Sequence, residues 1–484
     1  MVACPCSACG CSIDDLLSFS SSPCIEKLLA SNEPPSDTER VAISDENGQL
    51  RSQIAELNTR ISRAEASLKQ LQTAEAALEA QLAVRVRILN PISTLPTDIL
   101  CEVFARCAEP DDLPTLRGRF SGLFTSHEKA PWLLAAVSKR WRTAAIAFSQ
   151  LWSHIAIDLD NLSLDLRLKP HDLYYNRLLL RLQRSQQYPL SLYLMSETAS
   201  FGEFPDIVHV LSETSHRWKH LLLRGQLPLL QSLFDQELPL LLLQTIHIDV
   251  YDAPVNTLRS SLFRNAPSLA HLTVPADVLL HFEWPTSQIT VCTIFTAIRA
   301  IPDSRVCSVI RQFPRLQALD LTYRWYMSSR DEPHESPIIL SSLTKLTLCS
   351  FSSGDQMLEA LVLPNLTCLC LKGDLSSTTF RWIQTLHARS NFNLSKLTLE
   401  YVTDLTLPDI VFHLLEAFPG ISELSFRFPY NHIETILTQL AEETTMVPNL
   451  KVLSLYKQVE FSENCLIVLA NSRPDLYVTY CCCD

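Results

Sequence analysis

The chain has 484 residues, 47% of them apolar and 19% charged, with a formal net charge of −12. That balance is globular rather than disordered, leaves room for two or three domains, and disfavours binding to phosphate backbones. Only nine glycines are present and no G-x-G occurs, which removes the close backbone approach that dinucleotide turns and phosphate loops need.

Residues 1–43 read as a disordered leader with Ser-rich and Pro-rich pieces, Ser18 to Pro23 and Pro34-Pro35-Ser36. It lacks a basic segment followed by an apolar core, so it does not read as a secretory signal. No apolar run approaches the roughly 18–20 residues a membrane span requires; the densest, Leu238–Leu243, is interrupted by Pro239. A cytoplasmic or nuclear protein is expected, with its scattered cysteines reduced. Cys4, Cys6, Cys9, Cys11 and Cys24 supply enough thiolates for zinc, but their spacing is unlike paired C-x-x-C knuckles, so no metal or other cofactor is expected. The terminal Cys481-Cys482-Cys483-Asp484 is a poor prenylation signal because of its Asp.

A long helix is predicted over 44–89, starting at Ser44 or Asp45. Ile54, Ile61, Leu68, Glu75 and Leu82 occupy one heptad position, and Leu50, Leu57, Ala64, Leu71 and Leu78 the other. Alternating three- and four-residue steps put them in one stripe, the coiled-coil pattern, so self-association through 50–82 is expected. Asn90-Pro91 ends that helix.

A helical block follows at 90–152. Leu95-Pro96-Thr97-Asp98-Ile99-Leu100-Cys101-Glu102-Val103-Phe104 opens it as an amphipathic helix. A loop containing Pro110-Asp111-Asp112 comes next, then a second apolar helix from about Trp132 to Phe148.

Over 153–480 a unit of the form L-x-x-L-x-L recurs, at Trp218/Leu221/Leu223, Leu243/Ile246/Ile248, Leu269/Leu272/Val274 and Leu316/Leu319/Leu321. It continues at Leu343/Leu346/Leu348, Leu366/Leu369/Leu371, Leu394/Leu397/Leu399, Ile421/Leu424/Phe426 and Leu450/Leu453/Leu455. The steps are 25, 26, 47, 27, 23, 28, 27 and 29 residues, and a degenerate Ile289/Cys292/Ile294 fills the long one. Weaker copies sit at Trp152/Ile155/Ile157 and Leu190/Leu192. This is leucine-rich-repeat spacing: one unit cannot bury its apolar face, and stacked units share a core. The predicted class is α/β, an irregular leucine-rich-repeat solenoid preceded by a small all-α module and a coiled-coil-type helix. The usual repeat asparagine is mostly absent.

The block at 90–152 resembles an F-box. Leu95-Pro96-Thr97-Asp98-Ile99-Leu100-Cys101-Glu102-Val103-Phe104 matches the family's L-P-x-D/E-[IL]-L-x-x-[IV]-F opening, and Val137-Ser138-Lys139-Arg140-Trp141 matches its V-[CS]-[RK]-x-W frame. The Leu151-Trp152 ending and the order heptad helix, F-box, irregular repeats look like a group of mushroom-type fungal F-box proteins. The stretch Ala108–Pro131 is longer than in a minimal F-box. The resemblance implies a substrate-recognition subunit of a cullin-based ubiquitin ligase, with no chemistry of its own. A cullin-associated adaptor protein would dock on Leu95, Pro96, Ile99, Leu100, Val103, Phe104, Val137 and Trp141.

An unknown protein substrate would bind inter-leucine residues of the repeats, with Lys345, Thr347, Lys396, Thr398, Glu423, Ser425, Lys451 and Ser454 as geometric candidates. The alternative is a leucine-rich-repeat scaffold unconnected to ubiquitin transfer, its helical block covered by the first repeat. No H-E-x-x-H or G-x-S-x-G occurs, and His247 and His271 read as hydrogen-bonded structural residues. Neither catalysis nor nucleic-acid or membrane binding is expected.

Overall fold

The computed structural model of the chain describes residues 23–31, 34–89, 91–108, 123–159, 171–196, 204–251, 260–295, 303–322, 337–349, 355–373, 377–400, 407–427, 433–456 and 463–481. The leader up to Ser22, most of the cysteines of its cluster, the Pro110-Asp111-Asp112 loop, and Cys482 and Cys483 lie outside these residues. The chain divides into two units, Met1–Pro96 and Thr97–Asp484.

The first unit holds α1 (Pro23–Ser31), the 52-residue α2 (Asp37–Ile88) and a 3-10 turn at Pro91–Thr94. Two expectations need correction. Part of the 1–43 leader is helical, and α2 starts at Asp37 rather than near Ser44. The reason is a capping box. The Ser36 hydroxyl accepts from the Glu39 amide, and Glu39 Oε2 accepts from the Ser36 amide at 2.8 Å. At the other end α2 stops at Ile88, two residues before the expected Asn90-Pro91 break.

The second unit opens with three helices, α3 (Thr97–Ala108), α4 (Leu123–Val137) and α5 (Lys139–Ala147). The single helix expected from Trp132 to Phe148 is therefore two. Ser138 breaks it: in extended conformation, its side chain accepts from the Trp141 amide at 3.1 Å and caps α5. Leu100, Phe104, Ala135, Ala144, Ala145, Leu151 and Trp152 form the module's core.

The repeats then supply a 13-stranded, wholly parallel sheet with strands in chain order. They are β1 (His154–Asp158), β2 (Leu190–Ser196), β3 (Trp218–Gln226), β4 (Thr245–Tyr251), β5 (His271–Pro275), β6 (Val291–Phe295) and β7 (Ala318–Thr322). After a two-residue β8 (Ile338–Ile339) come β9 (Lys345–Cys349), another two-residue strand β10 (Leu361–Val362), and β11 (Cys368–Lys372). The sheet ends with β12 (Lys396–Glu400), β13 (Glu423–Arg427), β14 (Val452–Tyr456) and β15 (Tyr477–Cys481). Strands β8 and β10 pair separately.

Each parallel neighbour is reached by a return segment, several of them helical, such as α6 (His171–Arg184) between β1 and β2. Both inner residues of every triplet from Leu221/Leu223 to Leu453/Leu455 are buried, and so are the leading residues from Trp218 to Leu450. One apolar cluster runs from Ile155 to Leu469, so every repeat completes the core of its neighbours. The degenerate Ile289/Cys292/Ile294 unit builds β6 and the two weak copies build β1 and β2. Strand β15 was not expected, because Val478 and Tyr480 stand at its leucine positions.

Backbone hydrogen bonds also pass from repeat to repeat. The carbonyl of Gln317 accepts the amides of Thr344 and Lys345; that of Thr344 accepts Thr367 and Cys368; that of Thr367 accepts Ser395 and Lys396; that of Ser395 accepts Ser422 and Glu423. The hydroxyls of Thr344, Thr367, Ser395 and Ser422 donate to the same preceding carbonyls at 3.1–3.2 Å. This Ser/Thr ladder leads into the strands in a chain whose repeats mostly lack the usual asparagine. At the edge of β3, Gly225 has φ +146°, and a Cβ there would collide with the Ser196 carbonyl of β2.

Buried arginines satisfy carbonyls in the turns of the preceding repeat. Arg217 donates to the Tyr188 carbonyl and the Ser185 hydroxyl. Near the C-terminal end, Arg473 donates to the carbonyls of Leu440, Val447 and Met446 at 3.0, 2.9 and 2.6 Å. R473M keeps the stem but leaves those carbonyls without donors. It is expected to lower unfolding stability by roughly 2–4 kcal/mol, measured by urea denaturation; an unchanged midpoint would contradict this role.

Candidate functional site

Two surfaces of the second unit carry the residues singled out by the sequence. The first is the helical module. Its packing divides the adaptor-docking candidates by burial. Leu100 and Phe104 point inward and are fully buried, and Phe104 meets the half-buried Trp141 with ring centroids 5.2 Å apart. These two are corrected from docking residues to core residues: the inward face of amphipathic α3 holds its helix on α4 and α5. The opposite side stays in solvent. Ile99 is 48% exposed and Val103, one turn on, is half-buried; on α4, Leu133 is 63% and Val137 57% exposed. Leu95 is half-buried and Pro96 exposed at the end of the first unit.

The module is fixed to the repeats at its other end. Trp152 is buried, its indole N–H donates to the Ala145 carbonyl at 2.7 Å, and the Arg184 guanidinium of α6 lies 4.4 Å from its ring centroid. Trp132 packs edge-on against Trp152 at 5.0 Å. The first repeat thus covers the Leu151-Trp152 end and leaves Ile99, Leu133 and Val137 uncovered.

The second surface is the sheet face opposite the buried leucines. Register aligns its side chains in rows across the strands. One row reads His220, Thr245, His271, Val291, Ala318, Lys345, Cys368, Lys396, Glu423, Val452. The next reads Leu222, His247, Thr273, Thr293, Asp320, Thr347, Cys370, Thr398, Ser425, Ser454. Seven of the eight substrate-contact candidates fall in these rows. Lys451 does not; it precedes β14, and Val452 takes the position of Lys345, Lys396 and Glu423. Thr347 and Thr398 are themselves buried.

The C-terminal part of this face is charged and internally compensated. Lys396 pairs with Glu423 at 2.7 Å, and Lys372 with Glu400 at 3.1 Å. Burial pushes the Asp320 carboxyl up, against the pull of Lys372, the Thr322 hydroxyl and Lys345. For Lys372, burial works to lower the ammonium, and Glu400, Cys370 and Asp320 outweigh it and raise it. Asp320, Lys372 and Glu400 formed no part of the sequence expectation. Their signal was available, because they repeat the strand positions of Thr347 and Cys349.

Among the described residues, no group of three or more His, Cys, Asp or Glu side chains is arranged to hold a metal ion. Burial drives the Cys370 thiol up to about 12 and raises Cys292 and Cys368 as well. Neutral buried thiols are poor nucleophiles and metal ligands. No helix of the described residues is long and apolar enough to cross a membrane.

No protein-family model matches the chain. No curated protein matches it either. Among solved structures, sixteen chains match, including one in the TLR13–ssRNA13 complex, at 18% identity and a TM-score of 0.31 over 59% of this chain. The match spans 45% of that chain, less than half of its length.

His247 was expected to be hydrogen-bonded. Instead its Nε2 is buried without a hydrogen-bond partner, and the ring lies 6.3 Å from that of Phe295. Burial, with Arg224 nearby, lowers its pKa to about 4. The unfolded chain binds a proton here below about pH 6.5 and the folded chain does not, so stability falls as pH drops from about 6.5 to 4. The linked loss approaches roughly 3 kcal/mol at the acid end. H247F is expected to flatten that part of a pH series of urea melts; an unchanged slope would place the titration elsewhere.

Proposed function

We propose that this chain is a non-catalytic protein-interaction receptor of the F-box type. Its helical module docks on a cullin-associated adaptor, and its repeats hold a protein substrate for ubiquitin transfer. The observation that carries the reading is the exposure of Ile99, Leu133 and Val137 on α3 and α4, which share a core with the buried Leu100 and Phe104. Exposed apolar side chains on a rigid module mark a protein-binding surface. Ile99 and Val137 fall inside the two segments that match the F-box pattern, and Leu95-Pro96 opens the first.

The mechanism is one of proximity. Holding a substrate and a ubiquitin-loaded enzyme in one assembly raises their effective concentration, and the receptor contributes geometry alone. The charged end of the sheet face suits this role. Asp320, Lys345, Lys372, Lys396 and Glu423 present both signs on a rigid parallel sheet, which favours a polar protein surface of complementary pattern over a nucleic acid. The protein is expected to act in the cytoplasm, the nucleus or both.

A second reading is a repeat scaffold unconnected to ubiquitin transfer. It draws on Trp152, whose burial under Arg184 makes the module an end cap for the solenoid. The two readings part at the adaptor. Purified chain mixed with purified adaptor is expected to form a one-to-one complex on size exclusion. I99D/V137D is expected to abolish it with an unchanged thermal melt, since both side chains are solvent-facing. Absence of the complex, or its survival in I99D/V137D, would reject the F-box reading and leave the scaffold.

A further inference from the structure

We infer that α2 joins two copies of this chain as a parallel, in-register coiled coil. The inference rests on the first unit alone and is independent of adaptor binding. Ile54, Ile61, Leu68, Leu71, Leu78 and Leu82 are each more than half exposed. With Leu50, Leu57, Ala64 and Glu75 they fall at alternating three- and four-residue steps, in one stripe on a helix roughly 78 Å long at 1.5 Å per residue. The exposed stripe from Ile54 to Leu82 is stabilised by a second helix laid along it.

The pattern selects the occupant. Asn47, Ile54, Ile61, Leu68, Glu75 and Leu82 fall on position a; Leu50, Leu57, Ala64, Leu71 and Leu78 fall on position d. Over the first heptads, isoleucine at a (Ile54, Ile61) with leucine at d (Leu50, Leu57) favours two parallel strands, and a polar residue at a, here Asn47, fixes register by facing its own copy.

The flanking charges agree. In a parallel pair, each g residue faces the e residue five positions later on the partner. Glu46 then meets Arg51, and Arg60, which also pairs with Glu56 of its own helix at 2.8 Å, meets Glu65; Gln53–Asn58, Ser67–Gln72 and Ala74–Glu79 bring no like charges together on the flanks, and within the seam Glu75 facing its own copy is the one like-charge contact. Each charged pair occurs twice by symmetry. An antiparallel pair aligned on the same seam sets Glu65 against its own copy and keeps only Arg51–Glu79 as an opposite-charge pair. One Glu46 carboxylate oxygen is already shielded from solvent without a hydrogen-bond partner, as a group waiting for a cation would be.

Sedimentation equilibrium of the full chain at micromolar concentration tests this. The expected mass is twice the 54.7 kDa of one chain. L71D/L78D is expected to give monomers with an unchanged melt of the repeat domain. R60E is expected to weaken the dimer roughly tenfold, and R60E/E65R to restore it. A disulfide between two L71C peptides, mapped after oxidation, is expected only for the parallel arrangement. A monomer, a dimer indifferent to L71D/L78D, a double reversal that fails to restore association, or no L71C–L71C cross-link would each overturn the inference.

Discussion

Everything in the second unit depends on one constraint: no repeat can bury its leucines without its neighbours. A triplet such as Leu369/Leu371 with Leu366 offers one apolar strand face and one turn residue, and both are closed by the units before and after. Hydrogen bonds follow the same rule. Strand amides, the Ser/Thr ladder from Thr344 to Ser422, and the buried arginines all reach carbonyls of the adjoining repeat. The sheet is therefore a rigid base on which residues between the leucines can vary without cost to the core. At the N-terminal end the helical module closes the stack through Trp152, and that attachment leaves the far side of α3 and α4 in solvent.

Most of this was legible in the sequence because leucine spacing is a direct consequence of the constraint. The nine clear triplets, the degenerate Ile289 unit and the two weak copies all lie at strands of the sheet. Strand β15, the last of the described sheet, escaped because its residues break the leucine pattern: Tyr477 is exposed, and the positions of Leu453 and Leu455 pass to Val478 and Tyr480. Capping chemistry was the other blind spot. Ser36-x-x-Glu39 hid behind Pro34-Pro35 and moved the helix start, and Ser138 divided what apolar spacing alone joins into one helix.

Site residues were legible only in part, for a physical reason. A motif gives residue types at fixed spacing, and an amphipathic helix spends half of them on its own core. Leu100 and Phe104 went inward while Ile99 stayed out, a partition set by packing against Trp141 and Ala144–Ala145 rather than by the motif. On the sheet, the residue before the second leucine, as at Lys345 and Lys396, falls on the face opposite the core. Lys451 is one residue early. The ion pairs across strands, Lys372 with Glu400 and Lys396 with Glu423, depend on register that no single repeat contains.

The central claim is that an apolar helical face is held open on a rigid support so that another polypeptide can cover it. Hydrogen–deuterium exchange of the full chain, with and without purified adaptor, tests this most directly. Added protection is expected across Thr97–Ala108 and Leu123–Val137, with the strands of the sheet unchanged. Protection confined to the repeats, or none in those two helices at saturating adaptor, would contradict the account.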